Sequence, residues 1–284
     1  SGMTPLHHAA KERKTGAVEF LLGSGADVRA VDANRYTALH HAAFAGDAGV
    51  TSMLLNAGAD VKAVEAMGRT PLVMACGWGH DIETVRRLLA AGADVNASTP
   101  AGDNVLTATM YFGRAEIIDL LIDRGARLPE NGRAVWTALG AAAGRGHERL
   151  FLMAKETAAK VGVPWTRAVS LHTAVRGGSL PIVKEVLASG AGPDEKNVYG
   201  LTPLHVAAEA GQTACAELLL DKGAVIDERD HMGRTAWNIA RDAGHVELAA
   251  KLEARGAAKL PARFPELRGD WLGHGHGDRR PLRG

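Results

Sequence analysis

The residues of this sequence best suited to chemistry are its histidines. There are twelve, a number that invites metal ligation or proton transfer. Their spacing points elsewhere. His7, His40, His172 and His205 stand apart by 33 residues or a multiple of it, and His80, His147 and His245 each follow a glycine. A residue that returns at a fixed interval meets a repeated structural need. The expectation is that rings of the first set hydrogen-bond across a short gap and tie neighbouring loops together. The doublets His7-His8 and His40-His41 put adjacent side chains about 100° apart on a helix, so neither chelates alone. No carboxylate or third ligand recurs beside them, so neither a metal nor a cofactor is expected. His274 and His276 lie in a Gly-rich stretch and look like a metal site in composition only. Cys76 and Cys215 read as small buried residues, four repeat steps apart and too distant for a disulfide. Gly-x-Ser-x-Gly, a phosphate loop and a dinucleotide-binding glycine pattern are all missing. No catalytic residue is proposed, and the chain is not expected to be an enzyme.

Behind that interval lies a repeat. Gly-Ala occurs at Gly25-Ala26, Gly58-Ala59, Gly92-Ala93, Gly125-Ala126, Gly190-Ala191, Gly223-Ala224 and Gly256-Ala257, with gaps of 33, 34, 33, 65, 33 and 33 residues. The gap of 65 holds two periods, so eight units cover residues 3 to 257. A second signal keeps the same phase: Thr4-Pro5-Leu6-His7, Thr37-Ala38-Leu39-His40, Thr70-Pro71-Leu72-Val73, Thr202-Pro203-Leu204-His205 and Thr235-Ala236-Trp237-Asn238. Thr is a good N-cap, and Pro costs nothing at the first helical position, so helix one starts there. Ala9-Ala10, Ala42-Ala43 and Ala207-Ala208 allow first helices to approach closely, and Gly46, Gly79, Gly146, Gly211 and Gly244 end them. A second, amphipathic helix follows, as at Val50, Met53, Leu54 and Leu55. Trp237, in place of the tetrapeptide Leu, is expected in the core.

These residues resemble the ankyrin repeat family, whose unit runs Thr-Pro-Leu-His, Ala-Ala, Gly-His, Leu-Leu and Gly-Ala-Asp-Val. The resemblance covers about nine tenths of the chain. It implies an all-α, slightly curved ankyrin-repeat solenoid of about eight helix-turn-helix units with β-hairpin-like loops. Units four to six drift, with Asn104-Val105-Leu106-Thr107, Thr137-Ala138-Leu139-Gly140 and Val169-Ser170-Leu171-His172 in place of the tetrapeptide. The array is expected over 1–257. Its irregular fifth unit, at 132–165, has a long second helix ended by Gly162 and Pro164 and a break in the stack after it. Residues 258–284 form an irregular tail, in which Phe264, Leu267, Trp271 and Leu272 could cover the last unit.

The same resemblance implies a non-catalytic protein-protein interaction module, or scaffold, that meets a partner protein on a concave face of hairpin tips and first helices. The variable positions there hold Tyr36, Phe44, Met67, Arg69, Trp78, Tyr111, Phe112, Trp136 and Arg145 in units two to five. Aromatic and Arg side chains are what interface hot spots are made of. Two alternatives remain: a small-molecule or peptide site at the crease after unit five, or an accessory segment of a larger enzyme. The whole chain has 284 residues, 46% apolar and 23% charged, with 33 basic against 32 acidic side chains. That balance excludes a disordered chain and a basic nucleic-acid binder. No apolar run is long enough for membrane insertion. A soluble monomer is expected. Ser1-Gly2 reads as a scar of tag removal, so a lost leader leaves the compartment open, with the cytoplasm favoured and export not excluded.

Overall fold

The computed structural model describes residues 2–79, 81–110 and 114–259. They form helix pairs, one per repeat. The first four are α1 (Pro5–Lys11) with α2 (Thr15–Gly23), α3 (Ala38–Ala45) with α4 (Ala48–Asn56), α5 (Pro71–Met74) with α6 (Ile82–Ala90), and α7 (Val105–Met110) with α8 (Ala115–Asp123). Repeat five holds α9 (Gly132–Arg145), α10 (Glu148–Val161) and the short α11 (Trp165–Ala168). The last three are α12 (Leu171–Gly177) with α13 (Leu180–Ala188), α14 (Pro203–Ala210) with α15 (Thr213–Asp221), and α16 (Ala236–Asp242) with α17 (Val246–Ala254). The fold is an all-α repeat solenoid. The described residues group into two compact bodies that divide between Gly192 and Pro193.

Each first helix starts where side chains replace missing backbone partners. Thr4, Thr37, Thr202 and Thr235 are extended N-caps whose Oγ1 accepts the N–H three residues on, while the side chain of that third residue accepts the N–H of the Thr. The third residue is His7, His40, His205 or Asn238. Such caps are worth about 1 kcal/mol each. Repeat four builds the same box from other residues. Asn104 Oδ1 accepts from the Leu106 and Thr107 N–H groups, and Thr107 Oγ1 accepts from the Asn104 N–H at 2.7 Å.

In the first body α1, α3, α5, α7, α9 and α12 pack in succession as one layer, and α2, α4, α6, α8, α10 and α13 as the other. Their interface is Leu6, Leu39, Leu72, Leu106, Leu139 and Leu171 from the first helices with Leu54, Leu88, Leu121 and Leu150 from the second, all fully buried. Burying a side chain of this size contributes about 1.5 to 3 kcal/mol. Ala42 and Ala43 are fully buried as well, since the first helices approach too closely for anything larger. The approach is closest at Gly46, which ends α3 at φ +66°, where an added Cβ would stand 1.6 Å from the Gly79 carbonyl oxygen. In the second body α14 packs on α15 and α16, and α16 on α17. Trp237 is buried there and donates from Nε1 to Glu253.

Three expectations need correction. Thr137 does not start a helix. α9 begins five residues earlier, capped by Asn131 Oδ1 on the Ala134 N–H, and Thr137 turns its hydroxyl back to the Arg133 carbonyl from inside the helix. In repeat six the cap is Ser170, with Thr173 rather than His172 at the third position. The stack also continues past repeat five, because α12 packs directly on α9 and α13 on α10. The extra length is taken up by long α9 and α10, by Gly162 as a left-handed cap, and by α11, whose Trp165 meets Phe151 edge-on at 5.7 Å. The tail beyond residue 259, with Phe264, Leu267, Trp271, Leu272, His274 and His276, lies outside the described residues.

Candidate functional site

Between one second helix and the next first helix the chain makes a hairpin closed by a side chain. At 32–36, Asp32 exchanges backbone bonds with Tyr36 and Arg35, and its Oδ1 accepts from the Asn34 and Tyr36 N–H groups at 2.8 and 3.0 Å. Asn197 and Asp230 do the same in later repeats, while Glu65 accepts from the Arg69 N–H and Thr99 from the Asp103 N–H. Hairpins are then tied to the preceding helix layer by histidine. His7 Nε2 donates to the Tyr36 carbonyl at 2.9 Å, His40 to Arg69 at 3.1 Å and His205 to Arg234 at 3.0 Å. Because Nδ1 of each accepts from a Thr N–H, Nε2 must carry the proton.

On this frame, repeats two and three assemble a cluster around Arg69. Its Nε donates to Glu65 Oε1 at 3.0 Å, and its Nη2 donates to Tyr36 Oη at 2.9 Å and to Met67 Sδ at 3.1 Å. The guanidinium carbon lies 5.3 Å from the centre of the Trp78 ring, and Trp78 stacks on Phe44 with centroids 6.4 Å apart. Beside it, the Tyr36 ring lies 5.4 Å from His41, which reaches Asp32 Oδ2 at 3.3 Å and meets His7 edge-on. Five of the residues singled out by sequence, Tyr36, Phe44, Met67, Arg69 and Trp78, are thus brought together.

Charge follows burial and pairing. Burial pushes the Glu65 and Asp32 carboxyls up, but bonds from Arg69 and Met67 to the first, and from Tyr36, Asn34 and His41 to the second, outweigh it and hold both below the usual range. The bond to Glu65 outweighs burial and keeps Arg69 firmly charged. Burial raises the Tyr36 hydroxyl and lowers His41 against the pull of Asp32. His40 is pushed down to about 4 by burial. The cluster therefore holds a fixed cation between aromatic rings over anchored carboxylates. Burial raises both Cys76 and Cys215, leaving inert thiols. Among the described residues no three His, Cys, Asp or Glu side chains are placed to hold a metal ion, and no helix is long and apolar enough to cross a membrane.

Trp78 owes its position to an extra residue. From Thr37 to Asp47, the cap of α4, is ten residues; from Thr70 to Asp81, the cap of α6, is eleven. The surplus is taken up in a π turn at Ala75–Gly79, so Gly79 closes a wide turn and does not act as a left-handed cap. Trp78 then stands three places before Asp81, as Phe44 stands three before Asp47, and the two rings meet.

A family model described as ankyrin repeats, in three copies, matches residues 6–99 and 171–260, more than half of the sequence. The chain belongs to the ankyrin repeat family. Among solved structures, the crystal structure of the human ASB11 ankyrin repeat domain is similar at 24% identity, over 91% of this chain and 100% of that one, with a TM-score of 0.45. The unmatched stretch of this ankyrin array is where Asn replaces Thr as the cap and repeat five lengthens. Trp136 and Arg145 both sit there, on α9: Trp136 is 46% exposed inside the helix rather than on a hairpin tip, and Arg145 donates to the Met110 carbonyl. Tyr111 and Phe112 lie outside the described residues.

Two features escaped sequence reasoning. The acceptor at positions 32, 65, 99, 197 and 230 recurs at the repeat interval but changes identity, so only its phase marks it. Tyr199, at the hairpin position of Met67 and 70% exposed, occupies the tip of repeat seven beside exposed Val198.

Proposed function

We propose that this ankyrin array is a non-catalytic module that binds a partner protein through the face carrying Tyr36, Phe44, Met67, Arg69 and Trp78, continued on α9 by Trp136 and Arg145. Ankyrin repeats are in general protein-interaction modules and are typically non-catalytic. The observation that carries the reading is the Arg69 cluster. A guanidinium held by Glu65 and Tyr36 needs little ordering when a partner arrives, and Phe44 and Met67 leave apolar surface open beside it, 45% and 65% exposed. Prearranged Arg and aromatic side chains with an apolar surround are the usual makings of a hot spot.

Selection of a displayed protein-fragment library on the full chain tests this. Replacing Phe44, Met67 or Trp78 with Ala should cost selected binders about 1 to 3 kcal/mol each and change melting much less. Leu39→Ala, at a fully buried position, should do the reverse and cost about 2 to 5 kcal/mol of stability. Binders indifferent to all three surface changes would place the interface elsewhere.

A further inference from the structure

We propose that the hollow between α9 and α11 is a second site, one that takes an acidic, extended peptide segment of a partner protein. The inference rests on the interaction-module reading and gives the α9 end of that face, with Trp136 and Arg145, an occupant of its own; it does not rest on the Arg69 cluster.

The hollow measures about 580 Å³ and is bordered by Arg133, Trp136 and Thr137 of α9 and by Val163, Pro164 and Arg167 at the turn into α11. Among the described residues neither the Arg133 nor the Arg167 guanidinium has an ion pair or hydrogen-bond acceptor, although both side chains are exposed. No carboxylate borders the hollow among those residues. Two cations border one concavity and no carboxylate borders it with them, which favours an anionic occupant. The guanidinium fork matches a carboxylate in two-point geometry.

The remaining walls say what kind of anion. The indole of Trp136, nearly half exposed, with Val163 and Pro164 gives an apolar floor, which a small inorganic anion would leave unused and an apolar side chain would cover. The hollow also continues. Thr137 also borders a second hollow of about 390 Å³ with Met110, Gly140, Ala141, Gly144 and Arg145, so the two hollows follow each other along one face of α9, the second over small residues. α9 has 14 residues, about 21 Å at the helical rise, which an extended segment of about six residues spans. The sequence feature behind this is the early start of α9 after its cap Asn131: it adds a turn carrying Arg133 and Trp136 that an ordinary first helix lacks.

The test uses the full chain and a fluorescein-labelled heptapeptide of alternating Glu and Leu, against the same peptide with Gln for Glu, read by fluorescence anisotropy. The Glu peptide should bind at least about tenfold tighter, and the difference should shrink at high salt. Arg133→Gln with Arg167→Gln should abolish that preference, and Trp136→Ala should weaken both peptides, while Arg69→Gln and Phe44→Ala change neither. Equal binding of Glu and Gln peptides by the unaltered chain overturns the proposal without relying on any variant. Loss of the preference in Arg69→Gln with retention in the Arg133 and Arg167 double variant also overturns it, and would leave the interaction-module reading standing.

Discussion

At His40 a single side chain closes a cap, joins two repeats and loses its capacity to titrate near neutrality. The second role was legible, because a residue that recurs at 33-residue steps three places after Thr points to a repeated structural need; its bond back to the Thr N–H was not. The pH consequence was not, since it depends on burial. The folded chain keeps His40 neutral down to about pH 4, whereas the unfolded chain takes up that proton near 6.5. Between those values the unfolded state binds more protons, so stability should fall as pH drops from 6.5 to 4, by about 3 kcal/mol for this residue alone. His205, lowered by burial in the same direction, adds to the slope. His40→Asn, which copies Asn238 of repeat eight, should keep the cap and flatten part of that slope. Urea titrations at stepped pH would show it; an unchanged slope would mean that His40 titrates normally in the fold.

For the hairpin and helix elements, glycine has two separable uses. Gly46 and Gly58 both adopt left-handed conformations, but only Gly46 has the carbonyl of Gly79 against it, while nothing lies within 4 Å of a Cβ added at Gly58. Gly58→Ala should therefore cost about 1 kcal/mol of conformational strain, and Gly46→Ala upwards of about 3 kcal/mol as backbone moves to make room. Two arginines stand where other repeats use glycine. Arg35 has φ +64° and Arg13 has φ +56°, and Arg13 also donates to the Gly46 carbonyl at 2.8 Å. Arg35→Gly should raise stability by up to about 1 kcal/mol; Arg13→Gly should gain less, having lost a bond. Thermal melts of the four variants rank them. Element boundaries were legible where Thr, Gly and Ala-Ala agreed. They were misread at Thr137, because a Thr that bonds back to the carbonyl four residues earlier has the same identity as one that caps. The cluster of Tyr36, Phe44, Met67, Arg69 and Trp78 could be anticipated as a set of positions, but not as one contact network, since the π turn that brings Trp78 to Phe44 leaves no mark except a gap of 34.

Across the molecule, an array whose contacts run mainly between neighbouring repeats should respond locally to damage. Leu204→Ala, at a fully buried place in the second body, should cost about 2 to 5 kcal/mol and show first as lost amide protection over residues 203–254, with residues 38–188 still protected. Hydrogen exchange read by mass spectrometry distinguishes this from uniform loosening, which would mean that the chain unfolds as one cooperative unit. The π turn in repeat three belongs to this scale too. A repeat array has a metre, and a residue added anywhere but a loop should throw every later repeat out of step. Here it does not: the hairpins at 65–69 and 99–103 close with the same bonds on either side of the added residue. One codon's worth of length has been absorbed in a single wide turn, the turn that carries the Trp78 indole. In a lineage of such arrays, insertion and deletion inside a helix would then be a way of moving an aromatic ring across the face while the beat of the remaining repeats goes on unchanged.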